Sequence, residues 1–277
     1  MRKVWLVTGA SSGFGRAITE AAVAAGDVVI GAARRPESLD ELVAAHPGRV
    51  EPLRLDVTDP DAVGAAVRDV VARHGRIDVL VNNAGRTHVG AVEETTDAEL
   101  RDLFEVHVFG PLALVRAVLP HMRERRSGAI VQMSSMGGQM SFAGFGAYSA
   151  TKFALEGASE ALADEVAEYG VKVLIVEPGA FRTSLFGTGR AGLSTDSGAY
   201  AKVGETRAFV SGGDGSQPGD PAKAAAVILA ALEAERTPLR LPLGDDAVSA
   251  VLAHLDDVRA EVTAWEDRTR ATGFDAP

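Results

Sequence analysis

Short runs of β-branched and other apolar residues alternate with longer amphipathic segments through the first 180 residues of the chain. Strands that are apolar at every position are typical of a sheet covered on both faces, and intervening helices are typical of parallel connections. With right-handed crossovers, the alternation predicts an α/β fold: a single Rossmann-type, doubly wound parallel sheet with helices on both faces. The predicted strands are Val4–Thr8, Val28–Ala33, Val50–Leu55, Val79–Asn82, Ala129–Met133 and Val171–Glu177, and the predicted helices include Arg16–Ala25, Asp61–His74 and Ala150–Tyr169.

The composition changes after Thr183, where Gly and Ser become frequent and helical periodicity is weak up to about residue 220. A long irregular segment inside a compact domain is typically a binding lid or a disordered segment. Helix, strand and helix patterns resume at Pro221–Glu235, Leu239–Leu243 and Asp245–Arg270. We therefore expect one domain over residues 1–277, with a substrate lid at about 184–220 and a C-terminal helical extension at about 245–270.

Charge and cysteine content argue against several classes of function. The formal net charge is −10, which disfavours binding to a nucleic-acid backbone. Cysteine is absent, which removes disulfides and thiol nucleophiles, and the histidines lack the spacing of metal ligands, so no metal is expected. No apolar stretch approaches the roughly 18 residues of a membrane span, and the apolar N-terminal run leads directly into a Gly-rich turn. A cytoplasmic protein is expected.

Gly9, Gly13 and Gly15 follow the first predicted strand and open the first predicted helix in the stretch TGASSGFG. Glycine lets the backbone turn tightly and approach a pyrophosphate, and a helix N-terminus supplies N–H groups and a positive dipole end. The spacing differs from the general dinucleotide fingerprint, so an ordinary tight connection is the alternative. The strand–turn–helix context favours nucleotide binding.

Ala33, Arg34 and Arg35 stand where a dinucleotide-binding fold would place an acidic residue against the ribose 2′-hydroxyl of NAD. A guanidinium can instead bind a ribose 2′-phosphate through charge-assisted, bidentate hydrogen bonds. We therefore expect NADP(H) as the cofactor. The alternative is a solvated loop and an NAD-dependent protein.

Tyr148 and Lys152 lie four residues apart in AYSATK, on one face of a predicted helix. A tyrosine titrates near about pH 10, and a neighbouring ammonium favours the phenolate. Ser135, at the end of a predicted strand, places a hydroxyl where it can hydrogen-bond a reacting carbonyl oxygen. A Tyr–Lys pair alone is common on helix surfaces and does not indicate a site. Together with Ser135, the pair favours a site of proton transfer.

Five motifs occur in an order and spacing that resemble the short-chain dehydrogenase/reductase family. They are TGASSGFG, LDV at Leu55–Val57, NNAG at Asn82–Gly85, Ser135 with YSATK, and PGAFRT at Pro178–Thr183. The resemblance covers about Lys3 to Thr183 and is strongest to the branch with an Arg pair after the second strand, which uses NADP(H). It implies an oxidoreductase that interconverts a ketone or aldehyde and an alcohol. A nucleotide-sensing protein without chemistry is the alternative, and the intact Ser–Tyr–Lys spacing argues against it.

The resemblance also implies roles for individual residues. Tyr148 would be the general acid/base, Lys152 would lower its pKa and bind the nicotinamide ribose, and Ser135 would hold the substrate oxygen. The implied cofactor-binding set further includes Gly9, Ser11, Ser12, Phe14, Gly15, Asp56, Val57, Asn83, Ala84, Gly85, Pro178, Gly179 and Thr183. Family members often associate through two helices beside the active site, so a homo-oligomer, a dimer or tetramer, is expected. The flanking apolar residues indicate an apolar small-molecule substrate: Met136, Met140, Phe142, Phe145, Phe181, Leu185 and Phe186.

His107 departs from the family pattern, which commonly has an asparagine at this place in an N-V-x-G context. In the family that asparagine supports a helix kink and helps hold a water in a proton path from the lysine. Histidine can donate and accept hydrogen bonds and titrates near neutral pH, so His107 could hold that water or carry the proton. It could instead be a structural histidine bonded to the backbone. Loss of activity is opposed by the intact Ser135, Tyr148 and Lys152, and we include His107 among the catalytic candidates.

Overall fold

A sheet of seven parallel strands in the order β3-β2-β1-β4-β6-β7-β9 forms the centre of the protein. The computed structural model describes residues 2–186, 191–213 and 215–274. The strands are β1 (Val4–Thr8), β2 (Val28–Ala33), β3 (Val50–Arg54), β4 (Val79–Asn82), β5 (His88–Val89), β6 (Gly128–Met133), β7 (Val171–Pro178), β8 (Gly192–Leu193) and β9 (Arg240–Leu243). The strand order reverses direction between β1 and β4, as in doubly wound folds, so the predicted fold class is confirmed.

Helices cover both faces of the sheet. They are α1 (Gly13–Ala24), α2 (Asp40–Ala45), α3 (Pro60–His74), α4 (Asp97–Phe104), α5 (Gly110–Arg125), α6 (Gly146–Val166), α7 (Ala201–Gly212), α8 (Pro221–Glu233) and α9 (Asp245–Arg270). In β1, Trp5 and Val7 pack into a core with α1 and α8, whereas Val4 and Leu6 pack into a second core with α3, α5 and α6. Burial on both faces explains why the central strands are apolar at most positions.

Two helices begin earlier than their apolar periodicity predicts. Helix α6 begins at Gly146 and not at Ala150, which puts Tyr148 in its first turn. Helix α1 begins at Gly13 and not at Arg16. Both first turns contain glycine, which has low helix propensity and contributes no apolar side chain to a periodic pattern. Helix α6 also ends at Val166, three residues before the predicted Tyr169, and the other predicted boundaries differ by at most two residues.

The segment after Thr183 contains a helix, α7, that weak periodicity did not predict. Only Val203 and Val210 of its 12 residues are buried, so its apolar face is too sparse to produce a clear pattern. Before it, β8 pairs with β5 in a small parallel sheet. Residues 187–190 and 214 of the expected lid lie outside the described residues, and the lid stays a prediction.

Helices α4 and α5 are joined by a π-helical turn, Glu105–Phe109, into one continuous helix from Asp97 to Arg125. Contrary to the expectation that no stretch is long and apolar enough to span a membrane, this helix is the one that meets that criterion in the described chain. Its most apolar window has a mean hydropathy of 1.5, and 44% of that window is buried within the protein. Its side chains Leu114, Val118 and Met122 belong to the second core, as in a helix of a globular domain.

Candidate active site

A cavity of about 570 Å³ opens at the carboxyl ends of the central strands, where doubly wound sheets bind ligands. All four catalytic candidates line it: His107, Ser135, Tyr148 and Lys152. Of the predicted cofactor-binding residues, Gly15 and Arg35 do not line the wall. Those that do are Gly9, Ser11, Ser12, Phe14, Arg34, Asp56, Val57, Asn83, Ala84, Gly85, Tyr148, Lys152, Pro178, Gly179 and Thr183.

The turn between β1 and α1 has the shape of a phosphate cradle. Gly9 and Gly13 have φ angles of +64° and +52°, a region that side chains disfavour. A Cβ on Gly15 would lie 2.2 Å from the Gly9 carbonyl oxygen, so only glycine at this position allows the turn to pack this closely against the start of α1. The first turn of α1 carries no acidic side chain. The positive end of the helix dipole is therefore not neutralised by a carboxylate of that turn and can attract an anion. These features fit the pyrophosphate of a dinucleotide.

The two arginines after β2 are placed differently. Both are exposed, and Arg34 lines the cavity whereas Arg35 does not. Arg35 leads into a short 3-10 turn, where its carbonyl oxygen accepts hydrogen bonds from the backbone N–H and the hydroxyl of Ser38. Of the pair, Arg34 is therefore the better placed to contact a ligand in this cavity.

Ser135 and Tyr148 line the same cavity and interact with each other. Ser135 follows the end of β6, and its Oγ accepts a hydrogen bond from the Gly137 N–H at 3.1 Å. Desolvation raises the pKa of Tyr148 to about 12, and its hydrogen bond with Ser135 opposes that rise. Protein groups alone therefore keep the Tyr148 phenol protonated at neutral pH.

Lys152 lies one helical turn beyond Tyr148 and is buried. Its Nζ is 5.6 Å from the centroid of the Tyr148 ring and donates a hydrogen bond to the Met133 carbonyl oxygen at 2.8 Å. Desolvation lowers the pKa of Lys152 to about 8, and the negative charge of Glu156 opposes this. The ammonium is thus held close to the phenol while its protonation remains sensitive to the surrounding charges.

His107 lies in the π-helical turn, 1% exposed, with its ring edge-on to that of Tyr148 at 5.6 Å. Its Nε2 accepts a hydrogen bond from the Arg86 backbone N–H at 3.2 Å. The ring proton therefore resides on Nδ1, which donates to Thr151 Oγ1 at 2.8 Å. The Thr151 hydroxyl in turn donates to the Tyr148 carbonyl oxygen at 2.7 Å. Desolvation, followed by the charges of Lys152 and Arg86, lowers the pKa of His107 well below its usual value, so the ring is neutral.

Some parts of the wall were missed by the sequence motifs. Arg86 directly follows NNAG, and Glu105 precedes His107 by two residues. Their closeness in sequence to predicted site residues could have indicated that both line the cavity. Gln217 had none, because it reaches the cavity from the segment after α7. Of the apolar residues expected around a substrate, Phe181, Leu185 and Phe186 line the cavity. The others do not: Met136, Met140, Phe142 and Phe145.

Comparisons with known proteins show which family this chain belongs to. The family model for short chain dehydrogenases matches residues 3–193. Oxidoreductase BOA17 from Botryotinia fuckeliana is 38% identical over 273 residues, covering 98% of this chain and 100% of the relative. A short-chain dehydrogenase structure from Streptomyces avermitilis has a TM-score of 0.93 at 68% identity, with 98% of each chain covered. A metagenomic short-chain oxidoreductase solved in complex with NADP has a TM-score of 0.68 at 30% identity, covering 87% of this chain and 96% of that one.

Proposed function

Because this chain belongs to the short-chain dehydrogenase/reductase family, and so is an oxidoreductase acting on CH–OH or C=O groups with NAD(P), we propose that it is an NADP(H)-dependent carbonyl reductase. It would interconvert a ketone or aldehyde and an alcohol. The observation that carries this proposal is that Ser135, Tyr148 and Lys152 line the same cavity as the glycine turn. A nucleotide sensor would have no use for that arrangement.

In the reductive direction, Ser135 binds the substrate oxygen and Tyr148 donates its phenolic proton to it. NADPH, when bound, supplies the hydride. The raised pKa of Tyr148, about 12, keeps the phenol in the protonated form that reduction needs. The Lys152 ammonium, 5.6 Å from the ring centroid, stabilises the phenolate that remains after the proton has left.

His107 serves in this proposal as a positioning residue. Both ring nitrogens are engaged by protein groups, the Arg86 N–H and the Thr151 hydroxyl, which leaves neither for a water in a proton path. Through Thr151 the imidazole fixes the first turn of α6, on which Tyr148 lies. This favours the structural alternative over the proton relay.

Replacing His107 distinguishes a structural role from a role as proton relay. His107→Asn keeps one acceptor and one donor, and we expect turnover within about tenfold of the unaltered protein. His107→Leu leaves the Arg86 N–H without its acceptor, at a cost of about 1–3 kcal/mol, and should lower both turnover and melting temperature. Steady-state kinetics and thermal unfolding measure both effects. A collapse of turnover in a normally folded His107→Asn protein would show that the imidazole moves a proton itself.

The cofactor preference rests on the end of β2. Ala33 offers no carboxylate to a ribose 2′-hydroxyl, and Arg34 places a guanidinium at the cavity wall, where it can bind a 2′-phosphate. The metagenomic relative that binds NADP supports the same choice. NAD remains the competing cofactor for the test.

We expect Arg34→Ala to weaken NADPH binding by roughly tenfold to a hundredfold, because a charge-assisted hydrogen bond contributes about 1.5–3 kcal/mol. NADH has no 2′-phosphate, so its affinity in the same variant is an internal control and should change little. Arg35→Ala should weaken NADPH binding less, since Arg35 does not line the cavity. Nicotinamide fluorescence titrations measure all of these affinities. Equal or tighter binding of NADH to the unaltered protein would overturn the NADP(H) assignment.

The substrate is proposed to be an apolar carbonyl compound or alcohol. Phe181, Leu185 and Phe186 contribute an apolar part of the wall. A panel of ketones, aldehydes and alcohols of graded chain length, followed by NADPH absorbance, tests the activity and the apolar preference together. Absence of turnover across the panel, with NADPH bound, would favour the sensor alternative.

A further inference from the structure

Two buried carboxyl groups lie behind the catalytic wall. Glu156 is on α6, one turn beyond Lys152, and Glu177 is near the end of β7. They are 2% and 0% exposed. The two carboxyl groups are neighbours, because each places one oxygen 3.3 Å from the same atom, Arg240 Nε. The hydride and proton transfers proposed above make no use of this pair.

The site around Glu156 is built to hold it. Its Oε1 accepts a hydrogen bond from the Ser134 hydroxyl. Ser134 directly follows Met133, whose carbonyl oxygen accepts from Lys152, and directly precedes Ser135. A Cβ on Gly138 would lie 1.9 Å from Glu156 Oε1, so this carboxyl group fits only because residue 138 is glycine. The pair is therefore packed directly against the backbone that carries the catalytic serine.

The surroundings of the pair contain too little positive charge for two carboxylates. Arg240 on β9 places its Nε 3.3 Å from one oxygen of each carboxyl group. The same guanidinium is shared with Glu160 at the surface, through Nη1 at 2.8 Å. On α6 the facing cation is Lys152.

The hydrogen bonds point to a protonated Glu177. Its Oε2 accepts from Gln139 Nε2 at 2.7 Å, whereas its Oε1 receives no hydrogen bond from any protein donor among the described residues. If Oε1 carries a proton, it becomes a donor and Glu156 is the acceptor. Desolvation, followed by the charge of Glu156, raises the pKa of Glu177 to about 8.

We propose that Glu156 and Glu177 share one proton at neutral pH and that the charge of this pair keeps Lys152 in its ammonium form. The role for catalysis rests on the proposed function, in which the Lys152 ammonium stabilises the Tyr148 phenolate. Glu156 and Glu177 are positioning residues in this scheme, since they act on the reaction only through Lys152.

The coupling has a definite sign. At neutral pH the pair carries a single negative charge. As the pH rises through about 8, the shared proton leaves to solvent and the charge becomes −2, just where desolvation would neutralise Lys152. The added negative charge favours the ammonium, so Lys152 loses its proton at a higher pH than it would beside a fixed single charge.

Two isosteric variants test this. In Glu156→Gln and Glu177→Gln, an amide N–H replaces the shared proton and fixes the charge of the pair at −1 at all pH values above neutral. Glu160→Gln is the matched control, because Glu160 contacts the same Arg240 but is exposed and outside the pair. Circular dichroism and melting temperature show that each variant is folded.

The shared proton is measured by infrared difference spectroscopy during a pH titration. We expect a carbonyl stretch of a buried protonated carboxyl group at pH 7 that disappears with a midpoint near pH 8. It should be absent from both glutamine variants of the pair and retained in Glu160→Gln. No such band in the unaltered protein, or a band that persists in both pair variants, would overturn the proposal.

The coupling is measured on Lys152 itself. The chain has five lysines, so a protein labelled with ¹³C at lysine Cε gives few signals, and Lys152→Met identifies the one from Lys152. We expect the titration midpoint of Lys152 to fall by about one pH unit in both pair variants and to stay unchanged in Glu160→Gln. An unchanged midpoint in the pair variants would refute the coupling. Neither measurement needs turnover, so a failed substrate screen would count against the proposed function alone.

Discussion

Tyr148→Phe is expected to lower carbonyl turnover by about a thousandfold, because a positioned general acid typically contributes between about a hundredfold and ten thousandfold. The change removes only the hydroxyl. The ring keeps its packing, edge-on to His107 at 5.6 Å and tilted to Phe145 at 6.1 Å, so the fold and the cofactor cavity should be preserved. Turnover of the best substrate from the panel, together with NADPH affinity by fluorescence, measures the effect.

Tyr169→Phe is the matched control for this prediction. Tyr169 lies after the end of α6 and before β7, and it does not line the cavity. The Arg123 and Arg126 guanidinium groups lie 5.8 Å from the centroid of its ring. Its hydroxyl has no part in the proposed reaction, and turnover should stay unchanged. If Tyr148→Phe retained more than about a tenth of the activity, another group would have to supply the proton.

The fold could be predicted because its strands are covered on both sides. Leu6 and Val7 face opposite cores, and both are fully buried, so the periodicity of the sequence carried the information. Glycine at the starts of α1 and α6 carried none, which is why those helices were predicted to begin too late. Helix α7 was missed for the related reason that few of its side chains are buried.

The candidate site also has parts that the sequence predicts and parts that it does not. The glycine turn, NNAG and Ser135 came together because each lies at the carboxyl end of a parallel strand, and those ends share one edge of the sheet, whereas Tyr148 and Lys152 reach the same cavity from α6. The partners of His107 could not be predicted, since Arg86 and Thr151 reach it only through tertiary packing. Glu177 did leave a signal: it is a fully buried charged residue near the end of a mostly apolar strand, and its contact with Arg240 beside Glu156 accounts for it. The homo-oligomer, the lid and the cytoplasmic location stay predictions.

Lys152→Met should lower turnover by roughly a hundredfold to a thousandfold, as expected for the loss of an electrostatic group that stabilises developing charge. Methionine fills a similar volume, and it removes a buried charge at the cost of leaving the Met133 carbonyl oxygen without its donor. We therefore expect the melting temperature to change by only a few degrees, since these two effects oppose each other.

Lys172→Met is the matched control. It shows what the loss of a hydrogen-bonded lysine outside the site does to stability and turnover. Lys172, near the amino end of β7, also donates from Nζ to a backbone carbonyl oxygen, that of Leu232, and it does not line the cavity. It should cost stability without changing turnover per folded molecule. If Lys152→Met kept most of its activity, the ammonium would not be what stabilises the Tyr148 phenolate, and the carboxyl pair behind it would have no route to the reaction. A large loss in Lys152→Met beside an unaffected Lys172→Met would instead locate that stabilisation at one buried charge, the one whose protonation Glu156 and Glu177 are proposed to maintain.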